Sequence, residues 1–147
     1  MRFVAGAVLA LAALGAGCGG GAMVSQGGVD KFIGDWKFDS ETLMADCVSQ
    51  SVDLTGKILT LAVIAGNQIS AMLPGICVIN FNVAGTTATA PAGQTCSLPL
   101  GAIMVPVSLS SWTLTTTDGV SMSTAQKGTA EMGICNVTGS GMLTKQP

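Results

Sequence analysis

The chain has 147 residues, of which 48% are hydrophobic and only 10% are charged, and its formal net charge is −2. This composition is the reverse of that of disordered proteins, which are rich in charge and poor in apolar residues. The acidic balance argues against nucleic-acid binding, because that function needs a basic surface to neutralise phosphates. Beyond residue 30 strong helix formers are scarce while Val, Ile, Thr and Ser abound, so we expect an all-β domain.

The first residues have the layout of an export signal. Arg2 supplies a positive charge, an apolar run extends over 3–14, and small residues lead to Cys18. The run is shorter than the roughly 20 apolar residues that span a bilayer. We therefore predict a helical signal peptide over 1–17 that is removed on export.

Residues 14–18, Leu-Gly-Ala-Gly-Cys, resemble the bacterial lipobox, although the leucine stands one position further from the cysteine than is usual. The resemblance implies that Cys18 becomes the first residue, carries acyl chains such as palmitate and attaches the protein to the membrane. Residue 19 is Gly rather than Asp, which by resemblance to enterobacterial sorting favours the outer membrane within the cell envelope. The alternative is an ordinary secreted protein that keeps a leftover cysteine. The Gly-rich segment 18–30 predicts a flexible tether.

Residues 31–147 predict one domain of short strands separated by turns. Trp36 and Phe38 alternate with charged residues, which is typical of a strand with one buried face. No convincing helix is found in this region. Further strands are predicted at 48–54, 59–63, 69–73, 77–83, 86–90, 107–115, 120–124, 134–138 and 142–145, with turn residues at Gly66-Asn67, Pro74-Gly75 and Gly85.

The clearest hairpin signal is Asp118-Gly119, which lies between two Thr- and Ser-rich arms and predicts a type I′ turn. The apolar phase of residues 107–109 does not match that of 112–114. One extra residue would restore the phase, so we predict a β-bulge near Ser110-Ser111.

The regular spacing of short strands with hairpin-length connections predicts an antiparallel up-and-down meander, closed or nearly closed into a barrel of about eight strands. Closure removes exposed sheet edges, which a sheet with few charges otherwise has to protect. The uncharged segment 58–81 offers an alternative as a transmembrane helix. Its Pro74-Gly75 pair and its polar Asn67 and Asn80 disfavour that reading, because unpaired polar groups are costly in a bilayer.

Gly34 and Trp36 form a Gly-x-Trp motif at the start of the first predicted strand. The motif resembles the lipocalin signature, in which the Trp closes the base of an eight-stranded barrel. The resemblance implies that Gly34 and Trp36 lie at the barrel base. Lipocalins usually carry an Arg on the last strand that packs over this Trp, whereas the only arginine here is Arg2. Trp36 as an ordinary core residue remains the alternative.

The chain has five cysteines. With Cys18 as the lipid carrier, an even set remains that suits two disulfides in an oxidising compartment. Their wide spacing does not match the close ligand pairs of zinc sites. Of the three possible pairings we prefer Cys77–Cys96 with Cys47–Cys135.

No catalytic residues, metal site or cofactor are predicted, so we do not expect an enzyme. Histidine is absent from the chain, and Ser-Lys arrangements are missing. Four acids could form a weak Ca²⁺ site or an acid pair, but their spacing matches no loop motif and solvated strand faces explain them better. These acids are Asp35, Asp39, Asp46 and Asp53.

Two functional hypotheses follow. The first is a lipid-anchored cell-envelope protein whose barrel binds a small hydrophobic ligand, and the second is a structural or protein-interaction lipoprotein whose barrel is packed solid. A cavity of several hundred cubic ångströms would favour the first hypothesis, since ligand pockets have this size.

Overall fold

Strands dominate the part of the chain that the computed structural model describes, which comprises residues 26–47, 51–100, 102–130 and 134–147. The predicted signal peptide and Cys18 lie outside these residues. Within the described residues, no helix is long and apolar enough to cross a membrane. The segment 58–81 forms strands rather than a helix.

In the described part of the chain, a short 3₁₀ helix over Gln26–Lys31 precedes ten β-strands. Breaks at Gly66-Asn67, Pro74-Gly75 and Gly85 lie where the sequence predicted turns. The strands are β1 (Gly34–Ala45), β2 (Ser51–Asp53), β3 (Ile58–Ala65), β4 (Gln68–Leu73), β5 (Cys77–Ala84), β6 (Thr87–Ala90), β7 (Thr95–Leu100), β8 (Ile103–Thr115), β9 (Ser121–Ala130) and β10 (Cys135–Lys145).

Eight of the strands form a closed antiparallel barrel in the order β1-β3-β4-β5-β6-β8-β9-β10. The last strand closes the ring by pairing with the first, from Trp36 opposite Lys145 to Ala45 opposite Val137. Closure pairs the edges that an open sheet would leave exposed. The predicted all-β, eight-stranded barrel is therefore confirmed.

Two short strands lie outside the ring, and they are the departures from a pure meander. β2 pairs with the later part of β1, whose first residues pair with β3. β7 pairs with the first half of β8, whose last residues pair with β6. The backbone N–H of Ser97 in β7 donates to the carbonyl of Ile76, which joins β7 to the β4–β5 turn.

The barrel interior is filled by the alternate side chains of each strand. In β5, for example, Ile79, Phe81 and Val83 are buried while their neighbours are exposed. Phe81 meets Trp112 of β8 edge-to-face, with ring centroids 5.4 Å apart. Burying one such side chain contributes about 1.5–3 kcal/mol. The inward face of the ring is therefore the hydrophobic core.

The 3₁₀ helix closes one end of the barrel, which we call the plugged end. Val29 and Phe32 are buried there. The ammonium of Lys31 donates to the carbonyl of Thr117 at 2.9 Å. A Cβ at Gly28 would lie 2.9 Å from the carbonyl oxygen of Gly85, so only glycine fits this approach without a shift. Residues 26–30, which the sequence assigned to the tether, are therefore part of the folded domain.

The C-terminal segment forms one strand rather than the two predicted. β10 runs without a break through Gly139-Ser140-Gly141, which the sequence suggested as a turn. Here the two glycines face Leu43 and Glu41 across the β1 ladder. Glycine in a strand often marks a place where another backbone approaches closely, and closure of the ring supplies that approach here.

The β8–β9 hairpin is present, but its predicted two-residue type I′ turn is wrong. The strands end at Thr115 and resume at Ser121, which leaves a longer loop. The Asp118 carboxylate accepts hydrogen bonds from the N–H groups of Val120 and Ser121, at 2.8 and 2.9 Å. These side-chain bonds satisfy the loop backbone and favour the longer connection. The β-bulge predicted near Ser110-Ser111 is confirmed by the register shift between Leu109 and Ser111.

We expect Gly141→Ala to lower the free energy of unfolding by about 2 kcal/mol, as overpacked positions do. A Cβ at Gly141 would lie 2.7 Å from the Cβ of Glu41 and would overlap the carbonyl oxygen of Ser40. Strand propensity alone predicts that the variant is more stable than wild type, because alanine is normally favoured over glycine within a strand. Urea unfolding measures the effect, with the outward-facing Ser140→Ala as control, expected within about 0.5 kcal/mol of wild type. A stabilised Gly141→Ala variant would contradict the close approach of β1 and β10.

Candidate functional site

The four cysteines of the domain form two disulfides, Cys77–Cys96 and Cys47–Cys135. Their Cα atoms are 4.7 and 5.3 Å apart, respectively, within the usual range for disulfides. The first bond joins β5 to β7, and the second joins the end of β1 to the start of β10. The preferred pairing is therefore confirmed.

The Gly-x-Trp motif lies at the plugged end. Trp36 is fully buried, and its indole N–H donates to the carbonyl of Phe32 at 2.6 Å. The ammonium of Lys145, on the last strand, lies 5.6 Å from the centre of the Trp36 ring, within the range of a cation–π contact. A Cβ at Gly34 would lie 3.1 Å from the Lys145 side chain. The residue of the last strand that lies over Trp36 is therefore a lysine, Lys145.

The described interior holds little free space. A pocket at the end away from the plug is lined by residues such as Leu43, Leu98 and Val107, and its volume is ≈ 10 Å³. This is the space of about one water molecule, whereas ligand pockets measure about 300–1,000 Å³. The barrel described here is therefore packed by its own side chains.

One acid lies inside the barrel. Glu41 is 2% exposed and Gln126 of β9 is 7% exposed. The Gln126 side-chain N–H donates to Oε1 of Glu41, while Oε2 has no hydrogen-bond partner in the described residues. Burial raises the pKa of Glu41 to about 7, and the hydrogen bond from Gln126 offsets part of this rise. The small interior pocket beside Gln126 leaves no room for a substrate, so we assign no catalytic role to the pair.

Sequence reasoning missed Glu41 for a geometric reason. Continuing the alternation from Trp36 and Phe38 would place Ser40 inside and Glu41 outside. A register shift between Phe38 and Ser40 changes the phase of β1 and turns Glu41 inward. No turn or proline in the sequence signals this irregularity.

A groove of ≈ 380 Å³ lies on the outer face of β8, β9, β10 and β1. The strand register aligns its outward-facing side chains in two rows across the four strands. The first row is Ser111, Lys127, Thr138 and Met44, and the second is Thr113, Ala125, Ser140 and Thr42. Gln126 also lines the groove from the interior side of β9. We refer to this site as the outer groove.

The four acids considered for a cation site are not brought together. Asp46 accepts hydrogen bonds from the backbone and side-chain N–H groups of Asn136, which lower its pKa. Asp53 accepts one from the N–H of Thr55, and its pKa is lowered as well. Across the described ranges, no group of three or more His, Cys, Asp or Glu residues could hold a metal ion.

Comparisons with known proteins give one structural neighbour. No family model matches the chain. No curated protein matches it either. Among solved structures it is similar to a redesigned β-barrel, with 15% identity and a TM-score of 0.41, over 82% of this chain and 96% of the other.

Proposed function

We propose that this protein is exported, is anchored to the cell envelope through lipid on Cys18, and works through the outer surface of its barrel. The observation that carries the choice of the outer surface is the packed interior. Large fully buried side chains such as Trp36, Phe81 and Trp112 fill the described core. An apolar ligand of ordinary size would have to displace them.

The cysteines support export and anchoring. Disulfides persist in oxidising compartments and are rare in the cytosol. Four of the five cysteines are paired with each other, so Cys18 is the one left to carry a lipid. The 3₁₀ helix at the plugged end leads into β1, so the proposed anchor is on the plugged side of the barrel. The β7–β8 turn lies at the opposite end.

The intact mass of the membrane-extracted protein tests export and anchoring. We expect loss of residues 1–17, added acyl chains, and the loss of four hydrogens that two disulfides require. Cys18→Ser is the control and should remain unprocessed, without acyl mass. A protein that keeps Met1 and an unmodified Cys18 would overturn the proposal.

A titration with a fluorescent fatty acid tests the choice between interior and outer surface. The packed core predicts no saturable quenching of Trp36 and Trp112, whose indoles are buried in the barrel. Saturable quenching at one site per chain would instead support the apolar-ligand hypothesis and contradict an outer-surface function. Bound lipid recovered after denaturing the native protein would have the same meaning.

A further inference from the structure

We propose that the outer groove binds a small polyhydroxylated anion, of the class of a sugar that carries a phosphate group. This inference rests on the proposed outer-surface function and names its ligand chemistry. The groove volume of ≈ 380 Å³ lies within the range of about 300–1,000 Å³ that ligand pockets occupy. Its width of four strands corresponds to about 14 Å, given the usual strand spacing.

The concave shape follows from irregularities in the strands. The register shift of β1 lies between Phe38 and Ser40, and that of β8 lies between Leu109 and Ser111. Such bulges bend a strand and increase its twist. They flank the groove on its two outer strands, and β10, which lies between them, approaches β1 closely at Gly141. The groove is therefore bordered by irregular strands on both sides.

The groove presents hydroxyl groups that are not otherwise engaged. Five of its lining residues are Ser or Thr, and none of these hydroxyls makes a side-chain hydrogen bond to another described residue. A hydroxyl both donates and accepts, which suits the hydroxyls of a sugar. The five residues are Thr42, Ser111, Thr113, Thr138 and Ser140.

The charge of the groove points to an anion. Lys127 is the only charged residue in its lining, and it makes no ion pair with a described residue. Ser111 and Thr138 stand beside it in the same row, so an anion bound by the ammonium would also meet two hydroxyl donors. Asp46 follows the end of β1 beyond the groove, and its carboxylate accepts hydrogen bonds from Asn136. Asp53 lies three strands from Lys127, about 14 Å away by strand spacing.

Titration calorimetry on the purified full-length protein tests the proposal with glucose 6-phosphate, glucose and inorganic phosphate as probes. We expect saturable binding of glucose 6-phosphate and affinities at least about tenfold lower for the other two probes, since each lacks half of the matched contacts. Equal affinity for glucose or for inorganic phosphate, or no saturable binding by any probe, would overturn the proposal.

Matched variants locate the binding. Lys127→Gln should weaken glucose 6-phosphate binding at least about tenfold, whereas Lys57→Gln makes the same charge change at an exposed turn and should not alter it. Ala125→Leu should block the groove, whereas Ala62→Leu, exposed on β3, should not. Wild-type affinity in Lys127→Gln and Ala125→Leu would overturn the assignment to the outer groove.

A lipid headgroup could supply the same chemistry as a free sugar phosphate. Co-sedimentation of the Cys18→Ser protein with phosphatidylcholine vesicles, with and without phosphatidylinositol, separates the two sources. Because this variant is expected to keep its apolar signal segment, only the increase in binding that phosphatidylinositol causes is scored. Binding that requires phosphatidylinositol and Lys127 assigns the ligand to a membrane surface, and binding of the soluble probe alone assigns it to a free sugar. The anchoring proposal is judged by intact mass, so its failure and that of the groove are distinguishable.

Discussion

Removing the Cys47–Cys135 disulfide by replacing both cysteines with Ala is expected to lower the free energy of unfolding by roughly 4–5 kcal/mol. The bond joins residues 88 positions apart, so it closes most of the barrel into one covalent loop. In the chain-entropy description, a cross-link restricts the unfolded chain more strongly as the loop lengthens. Urea unfolding followed by tryptophan fluorescence measures the loss.

The Cys77–Cys96 disulfide supplies a matched control, because its partners are only 19 positions apart. The corresponding double Ala variant should lose about 3 kcal/mol. Each pair has one buried member, Cys135 or Cys96, and one more exposed member, so packing losses are similar. If the short-loop variant loses as much stability as the long-loop variant, loop closure is not the cause.

The stability of the protein should fall as pH rises through neutrality, and Glu41 should be the cause. Its pKa is about 7 in the folded state, against 4.5 for an ordinary glutamate, because burial disfavours the carboxylate. The folded state therefore binds the proton more tightly than the unfolded state. The stability that protonated Glu41 contributes is fully present below pH 4.5 and is lost as pH rises through about 7. The total loss in unfolding free energy is roughly 3 kcal/mol.

Urea unfolding at a series of pH values from 4.5 to 8 checks this expectation. Glu41→Gln removes the ionisable group while keeping its shape, so its unfolding free energy should be nearly independent of pH across this window. At pH 8 it should exceed that of wild type by roughly 3 kcal/mol. Asp30→Asn, at an exposed position, is the control and should keep the wild-type slope. An unchanged slope in Glu41→Gln would show that the buried carboxyl does not titrate in this range.

Three exposed acids act in the opposite direction at lower pH. Hydrogen bonds lower the pKa values of Asp46, Asp53 and Asp118, the last through the N–H groups of Ser121 and Val120. Stability from these groups is present above the ordinary aspartate pKa and is lost as pH falls through their lowered values. Starting the series at pH 4.5 therefore isolates the effect of Glu41.

Local patterns in the sequence determined the strand content of the barrel and the positions of most breaks. Alternation of apolar and polar residues identified the inward faces of β5 and of the first part of β1, because successive side chains in a strand point to opposite sides. Turn residues marked the β3–β4, β4–β5 and β5–β6 connections. The β8 bulge could also be predicted from the sequence, because the apolar residues before and after Ser110-Ser111 fall on opposite phases of the strand alternation.

The sequence did not indicate which residues surround Trp36. The Gly-x-Trp motif pointed to a barrel base, and Trp36 lies at the plugged end. The contact with Lys145 joins the first strand to the last, and no local pattern connects residues so far apart. The sequence could not show that Glu41 points inward for the same reason. The β1 bulge that turns it inward lies in the pairing with β10, which closes the ring.

By itself the sequence determined an all-β chain, an even set of four cysteines, and a barrel of about eight strands, because these follow from composition, period and spacing along the chain. Only the tertiary structure decided the outer groove, the Glu41–Gln126 pair and the continuity of β10 through its glycines. Each depends on which residues face each other across closed strand ladders, and that register is fixed by the packing of the whole ring.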